Sequence, residues 1–233
     1  MLEQLDLLKD LMGLSDAATF REFVSGKDYC NNKYLYEYWY EREDELPQSL
    51  SELILDGSLG GGKSYFAAYY LAYRIYLLFL SGSPQLQLGL AEDTDVFVLY
   101  FSVSMTMAKK SGYNYIYDIF LTCQWFKDNC PINPNLKSSI EFVGKHFYIN
   151  YASGEGHQIG LNVWGFILDE ANFKGMGVGL GTEEQYEEVT QLYEQLLDRQ
   201  LSRYARPDGS VNALAILISS ASYQSSFVEK RKA

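Results

Sequence analysis

Apolar residues recur along this chain in two alternating patterns: short unbroken runs, and longer stretches with helical spacing. The runs are Leu53-Ile54-Leu55, then 95–101, 163–168 and 213–218. An unbroken apolar run of strand length marks a strand buried on both faces. Between the runs, the pattern predicts helices over 63–80, 112–127 and 182–204. Thr182 followed by Gln185 has the form of a capping box at the start of the last helix. Residues 140–143 and 146–151 read as paired strands. Strands alternating with helices predict an α/β fold with a mainly parallel central sheet flanked by helices.

Residues 1–50 follow a different pattern. Leu2, Leu5, Leu7, Leu8, Leu11 and Met12 suggest a short amphipathic helix ending near Gly13. An aromatic run at 34–40 is either a stacking surface for bases or a set of core anchors. An acidic run at 41–45 then leads to Pro47, a boundary signal. The expected division is an N-terminal helical extension or lid at 1–50 and a core at 51–233.

The junction between the first strand and the first long helix carries the strongest chemical signal. Gly57-Ser58-Leu59-Gly60-Gly61-Gly62-Lys63-Ser64 has the spacing G-x-x-x-x-G-K-S. It follows an apolar strand and precedes an apolar helix, the context that a phosphate-binding loop requires. Glycines let successive backbone N–H groups turn inward around phosphates, and the helix N-terminus adds its dipole. Lys63 would neutralise the β- and γ-phosphates, and Ser64 would ligate Mg²⁺.

Composition narrows the class. The 233 residues, 47% hydrophobic and 21% charged, are enough for one globular domain. Arg74 interrupts the apolar stretch 65–80, which reads as a buried core helix and not a membrane span. Cys30, Cys123 and Cys130 fall in no metal-ligand spacing and read as reduced thiols. The formal charge of −11 argues against a stand-alone nucleic-acid binder. Any DNA contact would have to be local, or supplied by another domain or an assembled ring.

The run at 163–168 ends in Asp169-Glu170. Carboxylates at the tip of a core strand fall where ligands bind in such sheets. Asp169 would support Mg²⁺, and Glu170 would activate water as general base. The adjacent Asp-Glu pair differs from the Asp-x-x-Gly of GTPases, and no guanine-reading Asn-Lys-x-Asp occurs. This points to the RecA-like, catalytic-Glu branch of P-loop NTPases, which places an additional strand between the two motifs. The run at 95–101 is the candidate for that strand. Ser219-Ser220-Ala221 closes the last strand, either as a γ-phosphate sensor or as small residues opening a turn. Arg199, Arg203 and Arg206 are candidate arginine fingers, or charges complementing a helix dipole. Lys109-Lys110 is a second basic spot. Gln48 is a positional candidate for reading adenine. His146 and His157 read as structural.

The loop 57–64, the string Leu168-Asp169-Glu170-Ala171-Asn172-Phe173, the upstream Gly160-Leu161-Asn162-Val163-Trp164-Gly165 and the terminal Ser219-Ser220-Ala221 together resemble the ATPase domain of large terminase subunits. These are the DNA-packaging motors of tailed bacteriophages and related viruses. The resemblance covers roughly 45–230. It implies ATP and Mg²⁺ as cofactors, with Lys63 and Ser64 on the nucleotide–metal complex, Asp169 on the metal and Glu170 on water. Residues 219–221 become the coupling motif, and double-stranded DNA, a portal protein and a small terminase become the partners. It further implies a homo-oligomeric ring at the procapsid portal in the host cytoplasm, a monomer when isolated, and no membrane.

Two departures stand out. Some relatives carry an arginine shortly before the second motif, where this chain has His157-Gln158-Ile159-Gly160. The family's C-terminal nuclease is expected to be absent here, as in a truncated piece or a separately encoded motor domain. The alternative reading is a RecA-like helicase or another nucleic-acid translocase. A nucleotide-binding regulatory module without productive turnover is the third class.

Overall fold

The structure is a computed structural model describing residues 17–47, 49–58, 60–80, 82–102, 112–136, 139–152, 160–169 and 183–220. The expected helix before Gly13, Gln48, Leu59, Lys109-Lys110, His157, the segment 170–182 with Glu170, and Ala221 lie outside the described residues.

In chain order the elements are α1 (Phe20–Ser25), α2 (Glu37–Asp44), β1 (Glu52–Gly57), α3 (Lys63–Leu80), α4 (Pro84–Gln87) and β2 (Val96–Phe101). Then come α5 (Gly112–Thr122), α6 (Gln124–Asn129), β3 (Ser139–Phe142), β4 (Phe147–Ala152), β5 (Val163–Asp169), α7 (Glu183–Tyr204) and β6 (Leu214–Ser220). The stretch expected as one helix over 112–127 is two, with Cys123 as the N-cap of α6. The strands form one sheet in the order β1-β6-β5-β2-β4-β3. Every neighbouring pair is parallel except the β3–β4 pair.

Alternate residues of each central strand feed two cores. Val96, Val98 and Tyr100 of β2 and Leu214, Ile216 and Ile218 of β6 point to one side, packed with α1, α2, α3 and α5. Leu99, Phe101, Ala215 and Leu217 point to the other, against Val189, Leu192, Tyr193 and Leu196 of α7. Both faces are therefore dry, which is why the strands read as continuous apolar runs. On β5 the alternation slips between Val163 and Phe166, where the register with β2 shifts.

The run at 95–101, the candidate for the additional strand, does not take that place in the sheet. The strand between β1 and β5 is β6, while β2 flanks β5 on the far side. The crossover through α7 carries the chain back over the sheet and inserts β6 beside the phosphate-loop strand. Strand composition says nothing about that return, because β2 and β6 both carry a buried apolar run.

The N-terminal segment shares the main core. Thr19 caps α1, accepting from Glu22 N–H while the Glu22 carboxylate accepts from Thr19 N–H. Phe20, Phe23 and Val24 are at most 2% exposed. At about 1.5–3 kcal/mol each, their burial is comparable to the net stability of a whole domain, about 5–15 kcal/mol. Ala18 is also tied to α3: its N–H donates to Tyr76 Oη at 2.9 Å, and Tyr73 Oη donates to its carbonyl at 3.1 Å. Along the aromatic run, Leu35, Trp39 and Tyr40 are buried, and Tyr34, Tyr36 and Tyr38 are exposed.

Candidate nucleotide-binding site

Three neighbouring strands end together at one edge of the sheet. Asp56 of β1 is level with Ser219 of β6, Gly57 with Ser220, and Asp169 of β5 with Ile218. Ligands of open parallel sheets bind outside these C-terminal ends. The 57–64 loop leaves β1 here, and α3 begins at once: Phe66 N–H donates to the Gly62 carbonyl at 2.9 Å. The first turn of α3, whose leading N–H groups have no partner within the helix, thus opens at the loop.

Two glycines of the loop are needed for its shape. Gly60 and Gly62 have φ of +81° and +76°, in the left-handed region where a side chain costs about 1–2 kcal/mol. Lys63 is 9% exposed. Its Nζ donates to the carbonyls of Gly57 at 3.0 Å and Ser58 at 2.7 Å, which holds the ammonium inside the curve of the loop. A fixed cation beside a glycine-rich loop at a helix N-terminus is suited to a polyphosphate.

Ser64, on the first turn of α3, reaches β5. Its Oγ donates to Asp169 Oδ1 at 3.3 Å. The other oxygen of that carboxylate, Oδ2, accepts from the hydroxyl of Tyr100. Asp169 is 4% exposed. A hydroxyl and a carboxylate oxygen this close are hard oxygen donors of the type Mg²⁺ takes, usually one or two from protein alongside phosphate and water. Ser64 and Asp169 therefore fit a magnesium–nucleotide complex and would hold it. When bound, the ion would neutralise charge on the β- and γ-phosphate oxygens.

Trp39 and Tyr100 also belong to the site, although motif reading missed both. The Trp39 indole stacks on Phe66 at 4.5 Å and 12°, and its Nε1 donates to the Gly61 carbonyl at 3.0 Å. Sequence marked Trp39 only as part of an aromatic run. Tyr100 lay unmarked inside a hydrophobic strand.

The structure brings together Gly57, Ser58, Gly60, Gly61, Gly62, Lys63, Ser64 and Asp169, with the backbone of Ser219-Ser220 alongside. It places Arg199, Arg203 and Arg206 elsewhere. Gln200, next to Arg199, donates to the carbonyls of Trp164 and Leu214, at the starts of β5 and β6. Trp164 and Asp169 lie five strand positions apart, roughly 16 Å at about 3.3 Å per residue. The three arginines thus sit at the opposite end of the sheet from the site in the same chain. The three cysteines are free thiols.

Several solved structures match this chain, two of them large terminases. The HK97 bacteriophage large terminase has a TM-score of 0.53 and 15% identity over 84% of this chain and 35% of its own. The large terminase from the thermophilic bacteriophage D6E has a TM-score of 0.45 and 11% identity over 78% of this chain and 36% of its own. The chain thus spans about a third of the length of either structure. At this identity the HK97 likeness speaks to the fold alone. No curated protein matches the chain in sequence. The family described as "Uncharacterized protein MJ0330, N-terminal P-loop domain" matches residues 26–232, a span that takes in Trp39, the phosphate loop, Tyr100, Asp169 and Ser219. By that match and by the geometry around Lys63, the chain belongs to this family of P-loop nucleotide-binding domains.

Proposed function

We propose that this domain hydrolyses ATP on Mg²⁺ and uses the cycle to move double-stranded DNA, as the motor of a large-terminase-type packaging machine. The observation that carries the reading is the meeting of Lys63, Ser64 and Asp169 at the strand ends, with β6 ending between them. Glu170, directly after Asp169, is the general base that draws a proton from the attacking water. Ser219, Ser220 and Ala221 sense the γ-phosphate and pass the change to the DNA-gripping parts. Ser219 is buried one strand over from Asp169 and level with Asp56, at the same end of the sheet as the phosphate loop.

The partners in this reading are DNA, a portal protein and a small terminase, with copies of the chain in a ring. A ring fits two features. The net charge of −11 leaves DNA contact to local or shared surfaces. In a ring, the candidate fingers Arg199, Arg203 and Arg206, remote from their own site, would act on a neighbour's.

ATP binding and hydrolysis, each with and without duplex DNA, test the proposal. Lys63→Ala should abolish nucleotide binding, and unaltered affinity would sink the phosphate-loop assignment. Glu170→Ala should retain binding and lose turnover by about a hundredfold or more. An unchanged rate would show that Glu170 is not the base.

A further inference from the structure

Tyr100 is in register with Ile167 on β5 and lies on the side of β5 away from β6. Its ring is 1% exposed. Its hydroxyl donates to Asp169 Oδ2, while the Ser64 hydroxyl donates to Oδ1. Donors from β2 and α3 thus divide the two oxygens of a single buried carboxylate. A hydrogen bond to an ionised carboxylate is about twice as strong as a neutral one, and this holds for the Tyr100 and Ser64 hydroxyls alike.

The surrounding fold makes room for that phenol. A Cβ on Gly112, the first residue of α5, would lie 2.1 Å from Tyr100 Oη, 2.6 Å from Cζ and 2.8 Å from Cε2. A side chain there would force the phenol to shift, so Gly112 and Tyr100 form a matched pair on two elements. A buried tyrosine needs only some acceptor to be satisfied. Tyr113 finds one in the Ile149 carbonyl at 3.4 Å. Tyr100 is directed instead at the acid that ends β5.

We propose that Tyr100 is the positioning residue of Asp169. By holding Oδ2 it keeps Oδ1 turned toward Ser64, so the divalent cation of the nucleotide complex meets an oxygen already in place. A carboxylate is otherwise free over a broad range of its terminal torsion, and ordering it on binding would weaken the cation. Partners that orient a metal-supporting side chain typically govern metal affinity by 10–100-fold. The inference rests on the reading of Asp169 as the cation-supporting carboxylate.

The test uses the full chain, a non-hydrolysable ATP analogue and Mn²⁺, with free Mn²⁺ followed by electron paramagnetic resonance. Tyr100→Phe removes one oxygen and keeps the ring. It should weaken Mn²⁺ in the presence of the analogue by about tenfold or more, with the analogue's affinity in chelator unchanged. Gly112→Ala should reproduce this defect from another element, by displacing the phenol. A purely structural role would lower the thermal midpoint and leave the cation affinity alone. Wild-type Mn²⁺ affinity in Tyr100→Phe would overturn the proposal. Unchanged Mn²⁺ affinity in Asp169→Asn would instead overturn the role given to Asp169, and the proposal with it. Failure of the wild type to bind the analogue would remove the nucleotide site itself.

Discussion

Trp39 and Gly61 are 22 positions apart, yet the Trp39 indole Nε1 donates to the Gly61 carbonyl at 3.0 Å. The same ring lies flat on Phe66, one turn into the helix that follows the loop. A phosphate loop binds through preset backbone N–H groups, so anything that fixes one of its peptides contributes to affinity. Trp39 fixes the Gly61–Gly62 peptide from outside and joins it to α3.

Trp39→Phe keeps an aromatic ring for Phe66 and removes the N–H. One neutral hydrogen bond is worth about 1 kcal/mol, so nucleotide affinity should fall by up to about fivefold as the loop loosens, with a small drop in thermal midpoint. Calorimetric titration of the variant checks this. Unchanged affinity would mean the indole contributes packing and nothing to the loop.

Gly60 and Gly62 separate strain from crowding. Both have positive φ, but a Cβ at Gly60 meets open space, whereas one at Gly62 comes within 3.3 Å of Trp39 Nε1 and 3.5 Å of the Tyr36 ring. Gly62→Ala should therefore reduce nucleotide binding more than Gly60→Ala. In the Trp39→Phe background that difference should shrink, as side chains in contact are energetically coupled.

Glu43 should give the stability curve a pH dependence. Burial, with Asp44 adding, pushes its carboxyl up to about 7, and Arg74 opposes the shift. A raised carboxyl value means the folded chain holds the proton more firmly than the unfolded one. That stability is fully present below about 4.5 and is lost as pH rises through about 7. Glu43→Gln should melt higher than wild type at pH 8, and the gap should narrow at pH 5. Thermal melts at the two pH values decide it.

Gln200 is a stability residue at the end of the sheet away from the nucleotide. It is 2% exposed, and its amide donates to Trp164 O at 2.9 Å and Leu214 O at 3.3 Å. Gln200→Met fills the volume and leaves those carbonyls short of a donor, a cost of about 1–3 kcal/mol. The thermal midpoint should drop by about 2–10 °C, with nucleotide affinity unchanged. A fall in affinity at constant stability would contradict the separation of the two ends.

Where the sheet is dry on both faces, the chain was easy to read. β2, β5 and β6 show as unbroken apolar runs, and α3 as a long apolar helix. The loop declared itself through its glycines, Lys63 and Ser64. Other elements carried weaker marks. α1 is six residues long, too short for helical periodicity to register, although its Thr19–Glu22 capping box was there to find. The break at Cys123 has no glycine or proline to announce it.

Local chemistry determined the phosphate loop, the strand-end Asp169 and the class of fold, because each depends on residues adjacent in the chain. The placing of β6 between β1 and β5, the brace of Trp39 on Gly61 and the hold of Tyr100 on Asp169 were decided in three dimensions. Each joins residues far apart in sequence that meet only once the chain has packed. Their residue types, buried aromatics and aliphatics, are the same ones that fill an ordinary core. What distinguishes Trp39 and Tyr100 is the direction of one polar atom, and only packing sets that direction.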